Sequence, residues 1–175
     1  MSLGLGEPDS TRPAMEYEAF RSLVSSLTVE IADWRLDTTL AEHLTREHPP
    51  GSGMYERIFA ACRDAIADGW MCNREAGGIR YGRVVKRGPE THGFSVDVVD
   101  MDDCAGPHHI HPNGEIDLVM PIEGPAAFDG QGAGWKVYEP GSDHFPTVRG
   151  GRALVLYLLP GGAIQFTGKQ PKEHE

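Results

Sequence analysis

The sequence predicts a mainly β protein, an antiparallel barrel or double-sheet jelly roll, preceded by a helical segment. Two observations carry this. The spacing of apolar residues changes from helical to alternating near Trp70. Beyond that point six short alternating segments, separated by Gly, Pro, Asp and Asn, follow one another in about 90 residues. No helical pattern interrupts them, which disfavours a parallel α/β sheet.

The organisation along the chain follows from the same reading. Residues 1–13, "MSLGLGEPDSTRP", read as a flexible arm. A helical segment is expected over 14–69. Its first helix runs from Ala14 to about Asp33, with Phe20, Leu23, Val24, Leu27 and Ile31 at helical spacing. A second runs from Asp37 to Glu47, with Thr39 and Glu42 spaced as a capping box and Pro49-Pro50 stopping it. A third covers Gly53 to Ala67, with Ile58, Phe59, Cys62 and Ile66 on one face, and Gly69 ends the helical part. These stripes are packing faces, for the following domain or for a second subunit. The β-barrel is expected over 70–168, built on "IRYGRVV", "FSVDVVDM", "EIDLVMPI", "AAFDG", "GWKVYEP" and "RALVLYLL", with a flexible tail over 169–175.

Composition narrows the partners. The 175 residues suffice for one well-buried core, and 22 Gly and 13 Pro, concentrated after about position 70, supply the turns. A formal net charge of −10 argues against nucleic acid or an anionic membrane as partner. No apolar run reaches membrane-spanning length and no basic-then-apolar leader opens the chain, so a cytoplasmic protein is expected. Cys62, Cys72 and Cys104 form no C-x-x-C pair and read as reduced thiols. Cys104, near the histidines, reads as a small side chain beside the barrel mouth.

The chemistry concentrates in "GPHHIHPNGEIDLVMPIEG", residues 106–124. On a strand, residues two apart share a face, so His109 and His111 point together while His108 points away. Pro112-Asn113-Gly114 is a strong turn signal, after which Glu115 and Asp117 share one face and Ile116, Leu118 and Met120 the other. Two imidazoles followed across a turn by a carboxylate are what an N/O-ligating divalent metal needs, and Zn, Fe, Mn, Ni and Cu all suit this set. His43, His48, His92 and His174 lie in or near the helices, in a loop and in the tail, and read as ordinary polar residues.

"HIHPNGE" resembles the first motif of the cupin superfamily, and Gly134, "WKVYE", Pro140 and "PGSDH" resemble its second. Asp103 stands where the first motif opens on Gly, and Gly141 and His144 each come one residue early. The resemblance implies a cupin-type antiparallel barrel with His109, His111, Glu115 and His144 as the metal set, and homodimers as the common assembly. "GWMCNREAGGIRYGRVV", "FDGQGAGWKVYEPGSDHFPTV" and "GGRALVLYLLPGGAIQF" further resemble the 4-hydroxylaminobenzoate lyase family, over roughly residues 70–168. That resemblance implies conversion of 4-hydroxylaminobenzoate to 3,4-dihydroxybenzoate with loss of ammonia, in nitroaromatic degradation.

The net reaction adds water and releases ammonia, so neither flavin nor nicotinamide is expected, and no dinucleotide-type Gly fingerprint is present. His109, His111, Glu115 and Asp117 are the candidate catalytic groups, with Asp117 supporting the ligands or relaying a proton. A small aromatic carboxylate asks for a cation, best an Arg fork. Arg80 and Arg83 are expected to face opposite ways, one toward the cavity, and Arg74 is a third candidate. Tyr81 and Tyr138, with Trp135 and Tyr157, are candidates to meet the ring. Two other readings stand beside this one: a metal-dependent cupin dioxygenase or isomerase acting on another small acid, and a non-catalytic cupin that binds a small carboxylate.

Overall fold

The computed structural model describes residues 12–172, so most of the expected N-terminal arm, the end of the tail and His174 lie outside the described residues. Three helices come first: α1 (Arg12–Ile31), α2 (Thr38–Glu47) and α3 (Gly53–Ala67). The cap of α2 differs from the expected Thr39–Glu42 box. Asp37, in extended conformation just ahead of the helix, accepts from the Leu40 N–H at 3.1 Å, the reach natural to a cap carboxylate three residues upstream. Ser52 caps α3 in the same way, accepting from Tyr55 N–H.

Eleven strands follow among the described residues. They are β1 (Arg74–Ala76), β2 (Ile79–Val85), β3 (Phe94–Asp102), β4 (His109–His111), β5 (Glu115–Glu123), β6 (Ala127–Phe128), β7 (Gly134–Tyr138), β8 (Ser142–His144), β9 (Val148–Arg149), β10 (Arg152–Pro160) and β11 (Gln165–Phe166). All six predicted segments are strands. The short β1, β8, β9 and β11 are too brief to show alternation. Strands β1-β2-β3-β10-β5-β7 form one large sheet, β11-β4-β8 a second and β6-β9 a third, with antiparallel pairing throughout.

The central strands of the large sheet are buried on both faces, which is why β5 and β10 are nearly continuous buried runs. Ile116, Leu118, Met120, Leu154, Leu156 and Leu158 face outward and pack on Phe20, Val24, Leu27, Leu40, Leu44 and Ile58 of the helices. Val119, Ala153, Val155, Tyr157 and Leu159 face inward and meet Phe128 and Val148 of the β6–β9 sheet. The helix faces that the sequence left open to a domain or a subunit are thus taken up by the chain's own barrel. Burying each Leu or Ile of that layer contributes about 1.5–3 kcal/mol. Polar tethers fix its orientation: Tyr55 Oη donates to Val119 O at 2.9 Å and Trp135 Nε1 to His48 O at 2.8 Å.

Two backbone positions hold the site strands in place. Gly114 closes the turn between β4 and β5 at φ +85°, and a Cβ there would lie 2.6 Å from Tyr138 O. Asp103, where the first motif has Gly, adopts φ +44°; Asp tolerates this left-handed conformation better than most residues.

Candidate metal centre and active site

Strand parity puts His109 and His111 on one face of β4, and the turn at Gly114 returns Glu115 to the same space. The fourth residue comes by long-range pairing: β8 lies antiparallel to β4 with His144 directly opposite His109. One ligand atom from each of His109, His111, Glu115 and His144 falls within 4.8 Å of the others. Glu115 and His111 are fully buried, and His109 nearly so.

The hydrogen bonds assign the imidazole tautomers. Ser142 donates its only hydroxyl hydrogen to Glu139 O at 2.6 Å, so its Oγ accepts from His111 Nδ1 at 3.0 Å. Asp129 Oδ2 accepts from His144 Nδ1 at 2.5 Å, and Pro107 O from His109 Nδ1 at 3.3 Å. With all three Nδ1 atoms protonated, each Nε2 presents a lone pair to the common centre. There His111 Nε2 is 3.1 Å from Glu115 Oε2, while His144 Nε2 is 3.7 Å from the same oxygen and 3.0 Å from His109 Nε2.

Converging lone pairs repel unless a cation lies between them. His111 Nε2 and both Glu115 oxygens are buried without a hydrogen-bond partner, an arrangement that is costly in an apolar interior. The donor set fits a divalent metal held by three neutral imidazoles and one carboxylate, with positions left for water or substrate.

Around this centre lies a layer that the sequence reading missed. Asp129, at φ +47° in the turn after β6, accepts from His144 Nδ1, from Tyr138 Oη and from Thr147 N–H at 3.0 Å. Burial would raise its carboxyl, yet the bonds from His144 and Tyr138 hold it below the ordinary range. "AAFDG" reads only as a strand segment, and nothing local marks Asp129 or Ser142 as partners of the histidines.

Asp117 is fully buried beside Glu115, with neither oxygen hydrogen-bonded. Burial and then the charge of Glu115 push its carboxyl well above the usual range. Tyr138 lies with its ring against His111 and His144, at centroid separations of 5.1 and 4.6 Å, away from the cavity lining. His108 points away from the centre, as expected, and bonds to Asp143 and Thr167 at 2.6 Å each. His43 and His48 bond to Glu30, and His92 to Thr28. Cys104 stands outside the ligand cluster, and Cys62 and Cys72 are buried free thiols, the latter pushed up to about 12 by burial.

A cavity of about 400 Å³ opens beside the cluster, lined chiefly by apolar side chains and reaching His109 and Tyr157. Tyr81, Arg83 and Arg74 line it, together with Ile164 and Phe166 near the C-terminus. Arg80 alternates to the opposite face of β2, outside that lining. Arg83 is held by Asp97 through bonds of 2.8 and 3.2 Å, whereas Arg74 has no ion pair among the described residues.

An antiparallel β fold that brings three histidines, two of them fully or nearly buried, and a buried carboxylate together from the paired strands β4 and β8 and from β5 carries a metal-type centre. The sequence profile of the PnbB 4-hydroxylaminobenzoate lyase family matches residues 22–166. The chain belongs to that family of lyases. A 4-hydroxylaminobenzoate lyase of Nocardioides sp. (strain LMS-CY) is 36% identical over 143 residues, 77% of this chain and 85% of its own. A 4-hydroxylaminobenzoate lyase of Pseudomonas putida is 31% identical over 154 residues, 78% of this chain and 88% of its own. Among solved structures, an RmlC-like cupin protein from Ralstonia eutropha overlays 49% of this chain and 58% of its own, at 14% identity and TM-score 0.37. That overlap adds nothing to the topology described above. No helix among the described residues is long and apolar enough to cross a membrane.

Proposed function

We propose that the chain converts 4-hydroxylaminobenzoate and water to 3,4-dihydroxybenzoate and ammonia, as a step in nitroaromatic degradation. The reading rests on one observation: the lone pairs of three imidazoles and Glu115 converge beside an apolar cavity whose lining includes Arg74 and Arg83. The apolar walls suit an aromatic ring, and an arginine suits its carboxylate. The hydroxylamino end then lies toward His109.

His109, His111, Glu115 and His144 would hold one divalent ion. When bound, such an ion supplies Lewis acidity and lowers the pKa of a coordinated water. The chain's own groups perform the rest. Asp129, Ser142 and Pro107 O keep the three Nδ1 hydrogens and so keep each Nε2 aimed at the centre. The apolar side chains of Ile79, Val99, Met101 and Tyr157 offer the ring a wall to pack on. Asp117, on the same face as Glu115 and without a partner of its own, is placed to exchange a proton with groups at the centre. The departing hydroxyl and the leaving nitrogen each need a proton, and the adding water must lose one. The atoms balance without an external oxidant or reductant.

The test is to incubate the purified protein with 4-hydroxylaminobenzoate, before and after chelation, measuring ammonia, 3,4-dihydroxybenzoate and metal content. The expected result is equal yields of both products, lost with the metal and restored with it. No ammonia from metal-replete protein overturns the lyase assignment. Full turnover after verified metal removal overturns the metal's part and leaves the lyase.

A further inference from the structure

We propose that a basic vestibule beside the cavity, formed by Arg21, Arg74, Arg83, Lys86 and Arg87, collects the anionic substrate and passes its carboxylate to Arg74. The inference rests on the functional reading above and adds a capture site to it. A second depression of about 600 Å³ is lined by these five cations and a single carboxylate, Glu90. It shares Arg74, Gly82 and Arg83 with the cavity, so the two spaces meet along one sill that has no side chain at Gly82.

The charge distribution makes this concentration meaningful. The chain carries a formal net charge of −10 and only 16 Lys and Arg, so an approaching anion is repelled by most of the surface. Five of those 16 gather round this one depression. Arg21 is neutralised by Glu18 at 2.6 Å and Arg83 by Asp97 at 2.8 Å. Arg74, Lys86 and Arg87 are exposed and make no ion pair among the described residues, so their field reaches solvent. The ligand that fits both spaces is a small aromatic monocarboxylate: its anionic end answers the vestibule, and its ring answers the apolar cavity.

The test uses the full chain and two stable probes, 4-aminobenzoate and its neutral counterpart 4-aminobenzamide. Binding is measured by calorimetry for wild type, for Lys86→Glu/Arg87→Glu and for the milder Lys86→Gln/Arg87→Gln, at low and high salt. Charge reversal is expected to weaken 4-aminobenzoate about tenfold at low salt. The Gln pair should fall between, and the gap should shrink near 0.3 M salt, where the screening length drops to roughly 6 Å. The amide should bind all three proteins alike.

Equal binding of 4-aminobenzoate by all three proteins at low salt overturns the vestibule, as does an equal loss for the amide. Failure of wild type to bind 4-aminobenzoate overturns it too, along with the carboxylate part of the proposed function. Binding with the expected salt response, but no ammonia from the hydroxylamine, keeps the vestibule and sinks the lyase reading.

Discussion

The Nε2 atoms of His109 and His144 stand 3.0 Å apart, on residues directly opposite one another in paired strands. Each imidazole has its Nδ1 hydrogen committed to an oxygen on its far side. Neither ring then has a hydrogen to offer the other, and a cation between them relieves the repulsion. We expect one divalent ion per chain by elemental analysis of metal-reconstituted protein. His111→Ala and His144→Ala should each lose most of it, and chelation of wild type should lower Tm, since an ion that binds only the folded state stabilises it. Failure to retain any of Zn, Fe, Mn, Ni or Cu after reconstitution contradicts this.

Asp129 acts on the centre through His144. Replacing it with Asn puts an amide, which is both donor and acceptor, where a carboxylate now fixes the Nδ1–H tautomer. Metal affinity of Asp129→Asn should fall about 10- to 100-fold, the usual cost of losing a carboxylate behind a ligating histidine. Far-UV circular dichroism should be unchanged. An unaltered affinity would show that Ser142 and Pro107 O suffice to orient the set.

The helical layer and the barrel share one apolar core, so a cut in that core should destabilise both together. Leu156, at the middle of β10, is fully buried on the helix side of the large sheet. Leu156→Ala should cost about 2–5 kcal/mol in denaturant unfolding. The loss should appear in one cooperative transition. Separate transitions for helices and barrel would contradict a shared core.

Glu30 gives a pH signature away from the active centre. Burial would raise its carboxyl, but bonds from His48 at 2.8 Å and His43 at 2.9 Å outweigh it, so the folded value lies below the usual one. A carboxyl depressed in the folded state adds stability above its unfolded pKa, and that stability fades as pH falls through the folded value. Glu30→Gln should therefore lower Tm near neutrality, with the difference closing below about pH 4. A penalty undiminished at low pH would assign the effect to packing instead.

The parts of this fold that are local were legible in the sequence. Alternation along β5 separated Glu115 and Asp117 from Ile116 and Leu118, and Pro112-Asn113-Gly114 located the turn between the two halves of the ligand set. Parity also turned His108 away from His109. What local patterning does not contain is pairing across the chain. The alignment of His144 with His109 depends on β4 meeting β8, and β8 is too short to announce itself. Asp129 is the clearest case, because an Asp-Gly turn looks the same whether or not its carboxylate reaches a histidine. The destination of the helix faces was equally open until the outward residues of β5 and β10 met them.

Glu115 is the residue on which the account turns: fully buried, charged, and without a partner other than whatever cation its histidine neighbours admit. The most direct measurement is ammonia release from 4-hydroxylaminobenzoate under anaerobic conditions by wild type and by Glu115→Gln, each matched for folded content by circular dichroism. Wild type should give stoichiometric ammonia and 3,4-dihydroxybenzoate without oxygen. The variant should lose at least about 100-fold, the order that one positioned acid–base group contributes. Full turnover by Glu115→Gln, or turnover by wild type only when oxygen is consumed, would contradict it.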